Sequence, residues 1–333
     1  MQWPISLIFP LIVFLVAMNG SRVLIRQLTK RAVLDHPNAR SSHDRPTPHG
    51  GGIAVVGAIL AAWTVMGVLS ETAGLPVLMI SGIGLMLAGI SWMDDLRGLS
   101  PIVRLCAHVS AVAAALALAP LPGLVFGGLV SPSVDLVLCA VLWVWFINLF
   151  NFMDGIDGLA GVEALAIGTG LFVISRKLGL GDLPMTLGLT VAAAALGFLR
   201  WNWHPAKIFL GDVGSVPLGF LIGWLLLNLA ANGAWAPAII LPLYFLADAT
   251  LTLIHRMIRG ERIWEAHRQH FYQRAVASGL RHDQVSWIVA IANLFMIMLA
   301  IVATRGLPEA ALLGAAGAIT MLLFLLVKGG PTD

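Results

Sequence analysis

The chain has 333 residues, 59% of them hydrophobic and 11% charged, with a formal net charge of +3. A soluble domain carries roughly 25% charged residues, so an ordinary soluble fold is excluded and a polytopic membrane protein is expected. The two cysteines, Cys106 and Cys139, both fall inside apolar runs, which gives no basis for a disulfide framework.

Runs of about 17–23 apolar residues, long enough to cross a bilayer as helices, recur along the sequence. Eleven are predicted, at roughly 3–24, 52–70, 76–93, 103–121, 134–150, 159–175, 184–200, 214–231, 236–255, 286–304 and 308–327. The run at 134–150 is short, and the Gly/Pro-rich stretch 120–133 before it reads as a loop or a re-entrant segment. The first run has no basic residue before it and several after it, so it reads as an uncleaved span rather than a signal peptide. Counted by alternate loops, 17 of the 20 Lys and Arg residues fall on one side. The positive-inside rule places that side in the cytoplasm, with the N-terminus outside. The expected fold class is therefore all-α, an integral membrane protein of about 10–11 transmembrane helices forming a single domain over 1–333. Cytoplasmic loops are expected at about 25–51, 94–102, 151–158, 201–213 and 256–285.

Five polar clusters interrupt the apolar pattern, and this topology puts all five on the cytoplasmic face. Structural polar residues would scatter between both faces. In the first, Asp35 to Gly52, three consecutive glycines lead into a span and can offer backbone N–H groups to an anion. Arg40, His43 and Arg45 are candidate phosphate contacts there, although a basic loop holding anionic lipid headgroups explains the same residues. The second ends the third run with adjacent Asp94 and Asp95. Their repulsion is tolerated when a cation lies between them or water solvates both. Mg²⁺ favours carboxylates together with substrate phosphates, while a solvated turn is the plainer alternative.

The third cluster, Asn151–Phe–Met–Asp154–Gly–Ile–Asp157–Gly–Leu–Ala–Gly161, sets two carboxylates at the lip of a helix. Acid is costly at membrane depth, so this pair is expected to face water. Asp154 and Asp157 share a face if the segment is helical. Gly155, Gly158 and Gly161 let a ligand or another backbone approach closely. Acids stabilising a helix start are the structural alternative.

The fourth, Trp201 to Ser215, contains Gly–Asp212–Val–Gly–Ser215 ahead of an apolar run, which suits a phosphate or metal loop or, equally, a turn with an N-cap. Phe209 is a candidate for stacking on a base, and Asn202 and Lys207 for contacting sugar or phosphate. The fifth, Arg256 to Arg274, carries His267 and His270 three residues apart, with Arg268 beside them. Further ligands at zinc spacing are not evident, so phosphate contact or proton transfer fits better than a metal. Asp248 lies inside the ninth run and is either functional or paired with a neighbouring helix's arginine.

Taken together, Asp94–Asp95, Asn151–Phe–Met–Asp154–Gly–Ile–Asp157–Gly–Leu–Ala and Phe209–Leu–Gly–Asp212–Val–Gly–Ser resemble, in order and spacing, the polyprenyl-phosphate N-acetylhexosamine-1-phosphate transferases. That family includes enzymes that initiate O-antigen and common antigen, and the translocase forming the first lipid intermediate of peptidoglycan. The resemblance covers about Asp35 to Arg274. It implies an enzyme of the bacterial inner membrane that transfers a sugar 1-phosphate from a UDP-N-acetylhexosamine to undecaprenyl phosphate and releases UMP. The cofactor it implies is Mg²⁺, with Mn²⁺ as a substitute. It implies metal binding by Asp212 and Asp94, acids of the lipid-phosphate region at Asp94 and Asp95, and nucleotide-site acids at Asp154 and Asp157. Asn202, Lys207 and Phe209 fall in the stretch that lines the family's nucleotide pocket, and the histidine motif, His267 and His270, resembles a substrate-phosphate contact; Arg45, Asn151 and Arg268 are further candidate substrate contacts. Membrane lipids are expected partners, a homodimer is compatible, and no nucleic acid is expected. The peptidoglycan enzyme carries consecutive histidines where this chain has His267–Arg–Gln–His270, which argues against the muramyl-pentapeptide substrate and favours the O-antigen or common-antigen branch, with lipopolysaccharide biosynthesis as the expected pathway.

Phosphoryl transfer needs positioning and charge neutralisation more than covalent help. Direct attack of the lipid phosphate on the β-phosphorus is expected, with an aspartyl-phosphate intermediate as the rival route. A transporter using Asp248 and broken helices is the rival from another class. Against it, the polar clusters gather at one face.

Overall fold

The computed structural model describes residues 3–37, 45–71, 74–262 and 267–328; Arg40 and His43 lie outside the described residues. In chain order the elements are α1 (Trp3–Lys30), β1 (Leu34–Asp35), β2 (Thr47–Pro48), α2 (Gly52–Leu69), α3 (Gly74–Arg97), α4 (Pro101–Leu118), α5 (Pro132–Phe152) and α6 (Leu159–Lys177). There follow α7 (Asp182–Asn202), α8 (Asp212–Ala231), α9 (Trp235–Ile240), α10 (Leu243–Ile258), α11 (Phe271–Ala277), α12 (His282–Ala303) and α13 (Pro308–Lys328). Among the described residues, ten helices are long and apolar enough to cross a membrane. A helix satisfies its own backbone, which is what a chain this apolar requires in lipid. The protein is an all-α, multi-pass membrane protein.

Helix α8 is the buried axis of the bundle. Every residue from Val213 to Leu227 is buried, and α3 and α5 pack along it. Its glycines set that closeness: a Cβ on Gly52, at the start of α2, would lie 2.2 Å from the Cα of Gly214. Gly52→Ala is therefore expected to destabilise the protein by at least ~1–3 kcal/mol, the usual cost of overpacking. Thermal unfolding in detergent, compared with Gly57→Ala, checks this, because a Cβ on Gly57 meets nothing within 4 Å. Buried indoles reinforce the core: Trp63 Nε1 donates to Thr190 Oγ1 at 2.8 Å and Trp143 Nε1 to the Phe220 carbonyl at 2.9 Å.

The structure moves several expected boundaries. Helix α1 continues to Lys30, so the first loop starts later than 25; a helix can run beyond the apolar layer because its backbone needs no outside partner. The α5 helix, expected at 134–150, spans Pro132–Phe152. The stretch before it is a loop, pinned by Asp135, which accepts from the Phe126 and Val125 backbone N–H groups at 2.8 and 3.3 Å. The ninth run, expected as one span over 236–255, is split at Leu241–Pro242 into α9 and α10. Pro242 has no N–H to continue the hydrogen-bond ladder. The expected loop 256–285 contains the end of α10, all of α11 and the start of α12.

Candidate active site

The first and fourth clusters are zipped together by backbone. Strands β1 and β2 pair antiparallel, and the chain then runs alongside the α7–α8 connection. Phe209 N donates to the Pro48 carbonyl at 2.8 Å, Gly51 N to the Phe209 carbonyl at 2.8 Å, and Gly52 N to the Leu210 carbonyl at 2.8 Å. The three glycines thus bind protein backbone with these N–H groups. This pairing brings His49 to the start of α8.

There Asp95, in the last turn of α3, closes the N-terminus of α8. Its carboxylate accepts from the Asp212 and Val213 N–H groups at 2.9 and 3.0 Å, which suits an acid at a helix start. His49 Nε2 lies 2.8 Å from Asp95 Oδ1. Burial works to lower the His49 pKa, but the hydrogen bond and charge of Asp95, with Asp212 and Asp35 behind it, raise it overall. Asp94, on the same turn, accepts from Leu99 N at 2.6 Å. Arg104 from α4 spans the gap, its Nη1 3.4 Å from Asp94 and 3.7 Å from Asp212. Asp154 keeps some accessible surface yet sits deep in the protein. Burial, then the charge of Asp212, pushes its carboxyl well above the usual range, with His49 opposing and Asp95 and Asp157 adding to the rise. One end of the bundle therefore gathers Asp94, Asp95, Asp154 and Asp212 around His49 and Arg104.

Asp154 and Asp157 do not share a helix face. The segment between α5 and α6 is a turn, with Gly158 in the left-handed region at φ 81°, a conformation glycine adopts readily. Asp157 turns away to His204 and His282. His204 Nδ1 lies 2.7 Å from Asp157 Oδ2, Ala206 N donates to the same oxygen at 3.1 Å, and His282 Nδ1 lies 3.4 Å from Oδ1. Burial alone would raise the Asp157 carboxyl, but His282, His204 and the Ala206 N–H hold it below the ordinary value. The expected close approaches at Gly155 and Gly161 are made by protein, namely Tyr272 and Leu199.

Asn202, expected as a substrate contact, is buried with both ends of its amide engaged. Its Oδ1 accepts from Gly158 N at 2.9 Å and its Nδ2 donates to the Ile208 carbonyl at 3.0 Å. Asn151 Oδ1 accepts from Ser215 Oγ at 3.1 Å, tying α5 to α8. Lys207 is exposed, its ammonium 5.5 Å from the Trp201 ring centroid, and Phe209 is half-buried. Arg45 is exposed.

His267 and His270 precede α11 rather than sharing a helix face, with their rings 4.8 Å apart. Burial, then the charges of His270 and Arg256, lowers the His267 pKa to about 4. This imidazole is neutral at physiological pH. His270 Nδ1 donates to Asp248 at 3.1 Å. Asp248, expected either to be functional or to meet an arginine, instead meets this histidine and the start of α11: Phe271 N and Tyr272 N donate to it at 3.0 and 3.1 Å. Tyr272 Oη in turn donates to the Phe152 carbonyl at 3.0 Å, bracing the turn that carries Asp154. Arg268 lines a surface groove with Arg259, Arg274 and the apolar face of α10.

Residue spacing did not single out His49, Arg104, His204 or His282. His49 had one local signal, its place directly before the triple glycine. The partners of the others are more than 40 residues away or on another helix.

Residues 77–230 match the model of glycosyl transferase family 4. The chain is 29% identical over 296 residues to a probable undecaprenyl-phosphate N-acetylglucosaminyl 1-phosphate transferase of Bacillus subtilis, covering 84% of this chain and 80% of that protein. It is 30% identical over 294 residues to a decaprenyl-phosphate N-acetylglucosaminephosphotransferase of Mycolicibacterium smegmatis, covering 76% and 71%. With a phospho-N-acetylmuramoyl-pentapeptide-transferase of Thermosynechococcus vestitus it shares 32% identity over 270 residues, covering 71% and 67%. The matched segment runs from α3 through nearly all of α8 and includes all four clustered aspartates, and the chain belongs to glycosyl transferase family 4.

Proposed function

We propose that this protein transfers an N-acetylhexosamine 1-phosphate from a UDP-sugar to undecaprenyl phosphate, releasing UMP. The reaction starts a cell-surface polysaccharide of the O-antigen type, at the cytoplasmic face of the bacterial inner membrane. The observation that carries this reading is the convergence of four aspartates with Arg104 and His49 at one end of an apolar bundle. Relatives named for polyprenyl-phosphate sugar-phosphate transfer support it, as do the 17 of 20 basic residues assigned to one side.

The donor set fits Mg²⁺. The assigned donors are oxygen-only, and closely packed carboxylates with few cationic partners favour a cation; one or two such groups plus substrate phosphates satisfy this ion. Asp212 and Asp94 are the residues we assign to hold it. When bound, the ion would neutralise charge on the diphosphate and the departing UMP. Arg104 supplies fixed positive charge beside both carboxylates and is assigned to a phosphate oxygen. Asp95 already serves three donors, so its role is to position Asp212. A phosphate monoester has a second pKa of about 6, so the acceptor is largely dianionic and needs no strong base. A non-bridging oxygen of the lipid phosphate attacks the β-phosphorus. As that P–O bond forms, the bond from phosphorus to the UMP oxygen breaks.

The test is UMP release by detergent-purified protein given undecaprenyl phosphate, Mg²⁺ and a panel of UDP-N-acetylhexosamines that includes the muramyl-pentapeptide donor. Lipid-dependent release with one amino sugar, abolished by EDTA, is expected. Turnover of the muramyl-pentapeptide donor alone would reassign the substrate to the peptidoglycan branch. A burst of UMP without lipid acceptor would replace direct attack by the aspartyl-phosphate route.

A further inference from the structure

Asp157, His204 and His282 come from three separate elements and converge beside the acid cluster. Asp157 sits in the α5–α6 turn, His204 in the α7–α8 connection, and His282 is the first residue of α12. One ligating atom from each lies within 4.8 Å of the others. Asp157 and His282 are buried, while the His204 side chain is 33% exposed and leaves the trio open to water on one side.

A hydrogen-bonded pin accounts for only part of this arrangement. His282 Nδ1 lies 3.3 Å from the Asp157 backbone N–H and 3.4 Å from the Asp157 carboxylate. That nitrogen can accept from the first or donate to the second, never both. When it accepts, its lone pair leaves a carboxylate oxygen facing an electron-rich neighbour. A cation between the imidazole nitrogen and the carboxylate oxygen would satisfy both of these facing acceptors at once.

We propose that Asp157, His204 and His282 form a site for a borderline divalent transition cation of the Zn²⁺ class, separate from the carboxylates assigned to Mg²⁺. Two imidazoles and one carboxylate suit such an ion, with the solvent side open for a fourth ligand. Mg²⁺ prefers oxygen donors and is excluded by this set. Ligands about 2.0–2.1 Å from a tetrahedral ion stand roughly 3.3 Å apart; His282 already meets that spacing from Asp157 at 3.4 Å, whereas His204, at 2.7 Å, must draw back to admit the ion. His204, on a connecting loop and partly exposed, can supply that movement. The remaining frame is held: Ser286 Oγ donates to the Asp157 carbonyl at 2.8 Å and Asn202 holds Gly158 N. Loading displaces the protons now shared between imidazole and carboxylate. It also ties α12 to the two connections that lead to Asp154 and Asp212.

The experiment reads binding and unfolding rather than turnover, so it stands apart from the transferase reading. Detergent-purified full-length protein is stripped with chelator and titrated with Zn²⁺ by calorimetry. Retained metal is counted by mass spectrometry, and thermal unfolding is followed with Zn²⁺ or Mg²⁺. One Zn²⁺ per chain is expected, with an upward shift in unfolding temperature that Mg²⁺ at equal concentration does not reproduce. His204→Ala and His282→Ala should each weaken Zn²⁺ binding by more than about 100-fold, beyond the loss typical of outer-shell partners. His204→Ala is the safer variant for folding because the ring is partly exposed. Asp212→Asn should bind Zn²⁺ as the unmodified protein does. Substoichiometric binding, or undiminished affinity in either histidine variant, would overturn the assignment.

Discussion

Asp212→Asn is expected to reduce lipid-dependent UMP release by about 10²–10³ or more while leaving the protein at least as stable. The loss is of the size seen when one preorganised electrostatic contact to a reacting group is removed. Asparagine keeps the shape of the side chain, and the backbone N–H of residue 212 can still reach Asp95. What disappears is one negative charge among four aspartates, the charge that most strongly raises the Asp154 carboxyl after burial. Relief of repulsion should therefore accompany loss of activity, the pattern expected where a site is kept under strain for function. Asp95→Ala should behave differently. It removes the acceptor for His49 and two α8 N–H groups, so stability and activity should fall together. UMP kinetics and thermal unfolding on the same preparations separate the two cases. Retention of activity within a few-fold in Asp212→Asn would remove this residue from the site.

Asp248→Ala is expected to be the most destabilising single change in the α10–α11 region, by about 3–5 kcal/mol, because each buried donor left without its acceptor costs about 1–3 kcal/mol. Its carboxylate is fully buried and serves five donors. These are Tyr244 Oη at 3.3 Å, Thr252 Oγ1 at 3.4 Å, His270 Nδ1 at 3.1 Å, and the Phe271 and Tyr272 N–H groups at 3.0 and 3.1 Å. Truncation leaves these groups buried without their acceptor. Through Tyr272, it also loosens the brace on the turn that carries Asp154. Activity should fall with stability, although Asp248 touches no residue of the acid cluster. A melting profile within about 1 kcal/mol of the unmodified protein would show that the network is dispensable.

Much of the architecture was legible before any coordinates. Hydropathy located every helix that can span, because a run of about 20 apolar residues is written locally. The run that breaks, 236–255, carries its signal in Pro237 and Pro242, which its apolar length masks. The site was legible by residue type more than by geometry. Asp94 and Asp95 are adjacent in one cluster and Asp212 stands in another, linked to Asp94 only by the family resemblance; the fold brings all three together. Asp154 and Asp157 pair by spacing, yet the stretch from Met153 to Gly158 is a turn rather than a helix and sends each to a different set of partners.

The sequence by itself determined that this is a many-helix membrane protein with its acids and bases collected at helix ends, since hydrophobicity and charge act over neighbouring residues. Only the tertiary structure decided which acid each basic side chain serves: His49 and Arg104 at the Asp94–Asp212 cluster, His204 and His282 at Asp157, His270 at Asp248. Those pairings join residues from 10 to 125 positions apart, on separate elements. Helix packing and turn geometry set them, and neither leaves a periodic mark on the chain.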